Sequence, residues 1–268
     1  MKIPKALIIT GDGLNCEDET KYAFNLAKAE PKLVHITNIL DGDYKINDAQ
    51  MLAFIGGFAN GDHLGAGTVQ AVRFRHKLWD DLQEFIEKKK PIIAICNGFQ
   101  TAVNMGILPG IDQDYRKRSV TLMTNDSGVF EDRWVYLKAN PDSPCIWTKG
   151  IKKLFAPVRH GEGKFYTHEE GMIDNLFENN QVVLQYAGRN FVRPTMDYPL
   201  NPNGSLESIA GICDETGTIF GLMPHPEAYL HAHNHPDWTY LKAIGKKLPK
   251  EGQGVKIFRN AVKYVKEM

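Results

Sequence analysis

Short apolar runs alternate with helix-like stretches along the first hundred residues of the chain. The apolar runs have the length of buried strands and cover residues 6–10, 33–36, 51–55 and 91–95. Residues 17–29 and 68–89 between them have the apolar spacing of helices. Uninterrupted apolar strands separated by helices predict an α/β fold with a doubly wound, mostly parallel sheet and helices on both of its faces.

The second half of the chain has a different pattern. Residues 119–138 and 153–166 predict antiparallel strands with irregular links, and the last residues, 255–266, predict an amphipathic helix. Further strands are predicted at residues 182–186, 209–212 and 218–222. With no internal repeat and no low-complexity linker, we expect residues 1–268 to form a single domain. Its ligands are expected beyond the carboxyl ends of the parallel strands.

One of those strand ends carries a cysteine in a distinctive setting. The apolar run 91–95 leads directly into Cys96, with Ala94 and Gly98 as small neighbours and a predicted helix after them. This is the pattern of a nucleophile elbow, in which a tight strand-to-helix turn exposes the nucleophile. The unpaired amides of the helix start favour a thiolate, and the amide of Asn97 is placed to stabilise an oxyanion. A buried structural cysteine is the alternative.

A second strand end supplies a base for that cysteine. His225 and Glu227 follow the predicted strand at 218–222, and His225 stands between Pro224 and Pro226. A residue before proline is held extended, so side chains two positions apart point the same way. Glu227 is therefore expected beside the imidazole of His225, as the third member of a Cys–His–Glu triad.

These residues resemble class I (triad) glutamine amidotransferases, whose fold is flavodoxin-like. Several segments are similar to one branch of that family, the glutaminase subunits of phosphoribosylformylglycinamidine synthase, which acts in purine biosynthesis. The segments are residues 56–62, 96–100, 160–163, 201–205, 209–213 and 223–227. The resemblance implies that Cys96, His225 and Glu227 are catalytic and hydrolyse glutamine through a glutamyl thioester.

The resemblance also implies roles for residues around the triad. The oxyanion would be held by the amides of Gly57, Phe58 and Asn97. The bound glutamine would be contacted by Gln100, His160 and Glu162. Cys16 follows a glycine-rich turn at a strand end, so we expect it near the site without acting as the nucleophile.

The chain has no phosphate-binding loop and no dinucleotide-binding glycine motif in a strand–turn–helix context. We therefore expect no cofactor and no metal in this chain. The resemblance implies that ATP and magnesium bind a separate large synthetase subunit, which converts formylglycinamide ribonucleotide to formylglycinamidine ribonucleotide with the ammonia. It also implies a small third subunit in the complex.

Composition narrows the class of partner. Thirty-two basic residues balance thirty-two acidic ones, which removes the electrostatic case for a nucleic-acid or membrane partner. The beginning of the sequence does not have the pattern of a signal peptide. The four cysteines are scattered, so a reducing cytoplasm is the expected location.

Residues 228–252 predict an extra loop or lid next to the triad. His231, His233 and His235 alternate there, but a solvated loop is favoured over a zinc site because no cysteine joins them. Trp238 and Tyr240 would suit a contact with the synthetase.

Three alternative functions remain open at this point. The first is a triad glutaminase serving another acceptor, in cytidine, guanine or anthranilate synthesis. The second is a protein of the DJ-1/intracellular-protease superfamily, which lacks the late His-Pro-Glu segment. The third is a non-catalytic scaffold subunit with a vestigial site.

Overall fold

The computed structural model describes residues 3–268. Within that range the chain forms eleven strands: β1 Lys5–Thr10, β2 Glu30–His35, β3 Met51–Phe54, β4 Ile92–Ile95, β5 Thr121–Thr124, β6 Glu131–Ala139, β7 Lys153–His160, β8 Glu162–Tyr166, β9 Val182–Ala187, β10 Ile209–Cys213 and β11 Ile219–Leu222. The helices are α1 Glu17–Leu26, α2 Ile36–Leu40, α3 Thr68–Lys77, α4 Trp79–Glu87, α5 Asn97–Met105, α6 Met172–Glu178, α7 Trp238–Ala243 and α8 Val255–Glu267. None of the helices described there is long and apolar enough to cross a bilayer.

Nine of the strands form one sheet, in the order β2-β1-β3-β4-β11-β10-β9-β6-β7. Its first five strands are parallel and have the strand order of flavodoxin-like folds. Right-handed crossovers that leave β1 and β3 in opposite directions place α1 on one face and the pair α3 and α4 on the other. The predicted α/β fold is confirmed.

The remaining four strands of the sheet pair antiparallel, from β11 through β10, β9 and β6 to β7. Strands β5 and β8 form a separate antiparallel pair next to it. Both features agree with the change of pattern in the second half of the sequence. The fully buried strands β3, β4, β10 and β11 lie in the middle of the sheet, where helices or loops cover both faces.

Several helix predictions were wrong in detail. The long helix expected over residues 68–89 breaks at Leu78, whose φ of −126° leaves the helical region and separates α3 from α4. Leu78 and Trp79 are both buried at this break, so packing there outweighs continuation of the helix. Helices α2, α6 and α7 were missed because five to seven residues are too few to show a helical repeat.

The segment 228–252 is more structured than a simple loop. It contains the helix α7. It also starts and ends close together, because the Gly252 amide donates to the Leu230 carbonyl at 2.8 Å and the Gly254 amide to the Tyr229 carbonyl at 3.0 Å.

Close packing between β11 and α5 generates a test of the fold. A Cβ atom on Gly221 would lie 2.2 Å from Phe99 Cδ2 and 2.6 Å from Leu108 Cδ1. Because the Phe99 ring and the Leu108 side chain are buried and tightly packed, Gly221→Ala is expected to lower the free energy of unfolding by about 1–3 kcal/mol. Urea denaturation measures this loss.

Gly188→Ala is the matched control for Gly221→Ala. The nearest atom to a Cβ at Gly188 is 3.6 Å away, so its stability should stay within about 0.5 kcal/mol of wild type. Equal stabilities of the two variants would contradict the packing described for Gly221.

Candidate active site

Cys96 occupies the tight turn between β4 and α5. Its φ of 51° and ψ of −108° are strained for a residue with a side chain. Gly98 makes the turn possible, since a Cβ there would lie 2.2 Å from the Phe54 carbonyl oxygen. The first helical hydrogen bond of α5 runs from the Gln100 amide to the Cys96 carbonyl. The local structure is therefore the nucleophile elbow that the sequence predicts.

His225 and Glu227 lie in the segment after β11 and form a buried pair. Imidazole Nδ1 lies 2.6 Å from Glu227 Oε1, and each residue is only 2% exposed. The extended segment expected over residues 225–227 is not formed, because His225 has φ −103° and ψ 88° and Pro226–Ala228 is a 3-10 helix. The His225 amide donates to the Pro157 carbonyl at 2.8 Å. The predicted placement of Glu227 beside the imidazole is confirmed.

Gly56, which follows β3, brings the two parts of the site together. A Cβ atom at Gly56 would lie 2.8 Å from His225 Cε1, 3.1 Å from Cys16 Sγ and 3.5 Å from Cys96 Cβ. The histidine and the two cysteines therefore surround one glycine. Cys16 lies near the site as expected, with its Sγ 3.9 Å from His225 Nδ1.

Charge around His225 favours its protonated form. Burial lowers the pKa of the imidazole, but the Glu227 carboxylate and then the Cys96 thiol act in the opposite direction. The net pKa of His225 is well above its ordinary value. A histidine in this setting stabilises a thiolate next to it.

The thiol of Cys96 lies 3.5 Å from the Arg159 carbonyl oxygen. Within residues 3–268, the imidazole Nε2 of His225 has no hydrogen-bond partner. Nε2 is therefore the ring nitrogen that is free to exchange a proton, which is the property that a catalytic acid and base needs.

Two of the three predicted oxyanion donors are free. The amides of Gly57 and Asn97 form no hydrogen bond within the described chain, and Asn97 begins α5. The Phe58 amide, in contrast, donates to the Gly13 carbonyl at 2.7 Å. The structure therefore does not support the prediction that Phe58 contributes an oxyanion donor, because its N–H group is already used by a backbone bridge between residues 13–15 and 56–58.

The three predicted glutamine-binding residues lie together, but they are not equally available. Gln100 is buried, donates to the Glu162 carbonyl and accepts a hydrogen bond from Asn97 Nδ2 at 3.1 Å. His160 is buried with Nδ1 3.1 Å from Asn125 Oδ1. Only Glu162 is partly exposed, and its carboxylate accepts a long 3.4 Å hydrogen bond from the Ala66 amide.

Two supporting residues were not found from the sequence. Asp62 accepts a 2.9 Å hydrogen bond from Asn97 Nδ2 and thereby ties the loop after β3 to the elbow. Asn125 donates to the His160 carbonyl at 2.8 Å and accepts from the Gly163 amide at 3.1 Å. Asp62 belongs to a motif that the sequence singled out, whereas Asn125 gave no signal because its partners lie more than thirty residues away.

The alternating histidines of the segment 228–252 do not converge. His231 is exposed and stacks with Tyr22. The ring of His233 packs against Trp238, and the ring of His235 packs against Trp134 and Phe155. Among the described residues, the only group of three close donors is Cys16, His225 and Glu227, whose donor atoms lie within 4.8 Å of one another.

The chain is similar to known proteins over nearly its whole length. The sequence profile of the CobB/CobQ-like glutamine amidotransferase domain matches residues 3–265. Phosphoribosylformylglycinamidine synthase subunit PurQ of Methanococcus maripaludis is 43% identical over 98% of this chain and 97% of that protein. The PurQ subunit of Dehalococcoides mccartyi is 46% identical over 98% of both chains. A chain in the structure of PurLQS from Thermotoga maritima superposes with a TM-score of 0.69 at 29% identity, covering 98% of this chain and 99% of that one.

The burial of His160 generates a prediction about acid stability. Burial, followed by the charge of His225, lowers the pKa of His160 to about 3. The unfolded chain takes up a proton near pH 6.5 that the folded chain refuses, so folding stability falls as pH drops from 6.5 towards 3. Between pH 7 and pH 5 the wild type should lose about 2 kcal/mol more unfolding free energy than His160→Gln. Urea denaturation at the two pH values measures the difference.

The exposed His76 provides the control for His160→Gln. His76→Gln should lose as much stability as the wild type over the same pH interval. If His160→Gln also matched the wild type, the folded pKa of His160 would not be depressed.

Proposed function

The chain belongs to the CobB/CobQ-like glutamine amidotransferase family, among the glutaminase subunits of phosphoribosylformylglycinamidine synthase, and on this premise we propose that it hydrolyses L-glutamine and passes the ammonia to a synthetase subunit. The observation that carries the proposal is the arrangement around Gly56, where the strained Cys96 elbow meets the buried His225–Glu227 pair. Identities above 40% over the whole chain support the same acceptor as in the PurQ relatives.

The first half of the reaction acylates Cys96. The thiol gives its proton to His225 Nε2, and the thiolate attacks the side-chain amide carbon of glutamine. Negative charge develops on the amide oxygen, which the free amides of Gly57 and Asn97 stabilise. The imidazolium then protonates the leaving nitrogen, so that ammonia departs and a glutamyl thioester remains.

The second half of the reaction releases glutamate. His225 takes a proton from water as the water oxygen attacks the thioester carbon, and it returns this proton to the sulfur as the C–S bond breaks. Glu227 accepts the hydrogen bond from Nδ1–H, so that Nε2 is the nitrogen left to exchange protons. The high pKa of His225 helps this cycle because it stabilises the imidazolium form.

The glutamine-binding role is divided among the three predicted residues. Glu162 offers a partly exposed carboxylate, which suits the α-ammonium group of the substrate. Gln100 and His160 are buried and already hydrogen-bonded, so we assign them the task of holding the loops around the substrate.

The proposed partners are a synthetase subunit that binds ATP, for which this chain has no sequence motif, and the subunits found with its relatives. The family relationship and the PurLQS structure support a complex with a large synthetase subunit and a small third subunit. ATP and magnesium would bind the synthetase, which converts formylglycinamide ribonucleotide to formylglycinamidine ribonucleotide. Phe58 and Phe130 are about half exposed beside Gly57, with ring centroids 6.0 Å apart, and form an aromatic surface suited to such a contact.

The proposed function predicts that the complex stimulates hydrolysis of glutamine. Glutamate release should be slow for the chain alone and rise strongly with the synthetase, ATP, magnesium and formylglycinamide ribonucleotide, because site assembly waits on the partner. Glutamate release that the synthetase mixture does not stimulate would support a glutaminase that serves another ammonia acceptor. No activity in an assembled complex would favour the scaffold alternative.

The proposed nucleophile generates a second prediction. Cys96→Ala should lower glutamine-dependent synthesis by about a thousandfold or more, since no other group can form the thioester. Synthesis from added ammonia should survive, because ammonia bypasses this subunit. Product formation by the reconstituted complex measures both activities.

Cys145→Ala is the matched control for Cys96→Ala, since Cys145 is buried in the core next to Cys213. This variant should retain both activities. Equal loss of the glutamine-dependent and ammonia-dependent activities in Cys96→Ala would instead assign Cys96 a structural role.

A further inference from the structure

The proposed reaction does not use the buried thiol of Cys16, although it lies against the histidine–glutamate pair. Cys16 is 7% exposed and its Sγ is 3.9 Å from His225 Nδ1. Its other polar side-chain contact is Asn15 Oδ1 at 3.5 Å. The donor atoms of a thiol, an imidazole and a carboxylate thus lie within 4.8 Å of one another. A catalytic base and its orienting group require only the imidazole and the carboxylate, so the thiol has no role in the proposed reaction.

We propose that Cys16, His225 and Glu227 form an inhibitory zinc site. Thiolate sulfur, imidazole nitrogen and carboxylate oxygen are the three ligand types that zinc uses in proteins. Magnesium and calcium, in contrast, prefer oxygen ligands alone. The contacts among these three residues support the zinc site itself. Its inhibitory effect rests on the proposed function.

One of the two ligand distances in the structure is close to that of a tetrahedral zinc site, and the other is shorter. Zinc bonds of about 2.3 Å to sulfur and about 2.0–2.2 Å to nitrogen and oxygen place sulfur and nitrogen about 3.6 Å apart and nitrogen and oxygen about 3.4 Å apart. The corresponding distances here are 3.9 Å from Cys16 Sγ to His225 Nδ1 and 2.6 Å from Nδ1 to Glu227 Oε1. Displacements below about 1 Å would complete the geometry.

The charges of the site also suit a divalent cation. A Cys16 thiolate and the Glu227 carboxylate together balance Zn²⁺, which lowers the cost of burying the ion. Glu227 Oε2 is buried without a hydrogen-bond partner in the described chain. An oxygen of the Glu227 carboxylate can therefore bind the ion once the ion replaces the proton between Nδ1 and Oε1.

A cavity of about 460 Å³ lies next to this group on the side of Glu227, whereas Cys16 and His225 do not line it. Glu227 forms part of its wall, and the carboxylates of Asp18 and Glu19 lie around it. The charged or titratable groups that oppose them there are Arg159 and His231. Three carboxylates against one guanidinium favour entry of a cation.

Zinc binding at Nδ1 would stop the proposed reaction because it confines the remaining proton of the His225 imidazole to Nε2. The Cys16 thiol proton leaves when sulfur binds the ion, and the imidazole proton must occupy Nε2 because Nδ1 carries the metal. Nε2–H then cannot accept the proton of Cys96. The bond changes are reversible, so a chelator should restore activity.

Metal binding can be tested without turnover. Zinc affinity is measured by competition with a chelating dye on the wild-type chain and on Cys16→Ser, Cys16→Ala and Cys96→Ala. Both Cys16 variants should bind at least about tenfold more weakly, whereas Cys96→Ala should keep the wild-type affinity. Unchanged affinity in the Cys16 variants, or loss of binding in Cys96→Ala, would overturn the site.

A second measurement does not depend on folding of the Cys16 variants. X-ray absorption of zinc bound to Cys96→Ala should show one sulfur at about 2.3 Å, which must come from a cysteine other than Cys96. Zinc ligated only by nitrogen and oxygen would overturn the proposal. Because neither measurement needs glutamine, failure of the proposed function would leave both results interpretable.

The inhibitory effect is tested in the reconstituted complex. Zinc should inhibit glutamine-dependent synthesis by the wild type, and Cys16→Ala should need at least about ten times more zinc for the same inhibition. Equal zinc sensitivity of the two proteins would contradict the inhibitory role even if zinc binds. Ammonia-dependent synthesis serves as the control for zinc effects on the synthetase.

Discussion

Close packing against three glycines, in or just after three neighbouring strands, determines where the reactive side chains lie. Gly56 after β3, Gly98 after β4 and Gly221 in β11 each leave less than 3 Å between a would-be Cβ and another residue. The elbow can bend only because Gly98 lies on the Phe54 carbonyl, and His225 can reach Cys96 only because Gly56 leaves the space between them empty. The chemistry of the site therefore depends on side chains that are absent.

Polar side chains from the antiparallel half then hold the loops in register with these strands. Asn203 donates to the Gly163 carbonyl at 2.8 Å, and the Ser205 hydroxyl accepts from the Phe165 amide at 2.9 Å. These bonds hold β8, which begins at Glu162, two residues after His160 ends β7. Each is buried, so losing one partner would leave an unsatisfied polar group and cost more than an exposed hydrogen bond.

The sequence predicted features that depend on nearby residues. Cys96 with Gly98, and His225 with Glu227, are local patterns, although a 3-10 helix rather than an extended segment places Glu227 beside the imidazole. The hydrogen bond of the Phe58 amide was not predictable, because its acceptor is the carbonyl of Gly13, which lies in a different turn. The break at Leu78 was hidden for the same reason, since packing rather than local propensity decides it.

The segment 228–252 is best understood from where its ends attach. The segment begins directly after Glu227. Close to its other end, a Cβ atom on Gly254 would lie 1.8 Å from the Pro226 carbonyl oxygen. Its first residues also form part of the cavity wall next to Glu227. Both ends therefore attach to the segment that carries His225 and Glu227, so the positions of these two side chains are tied to the placement of residues 228–252.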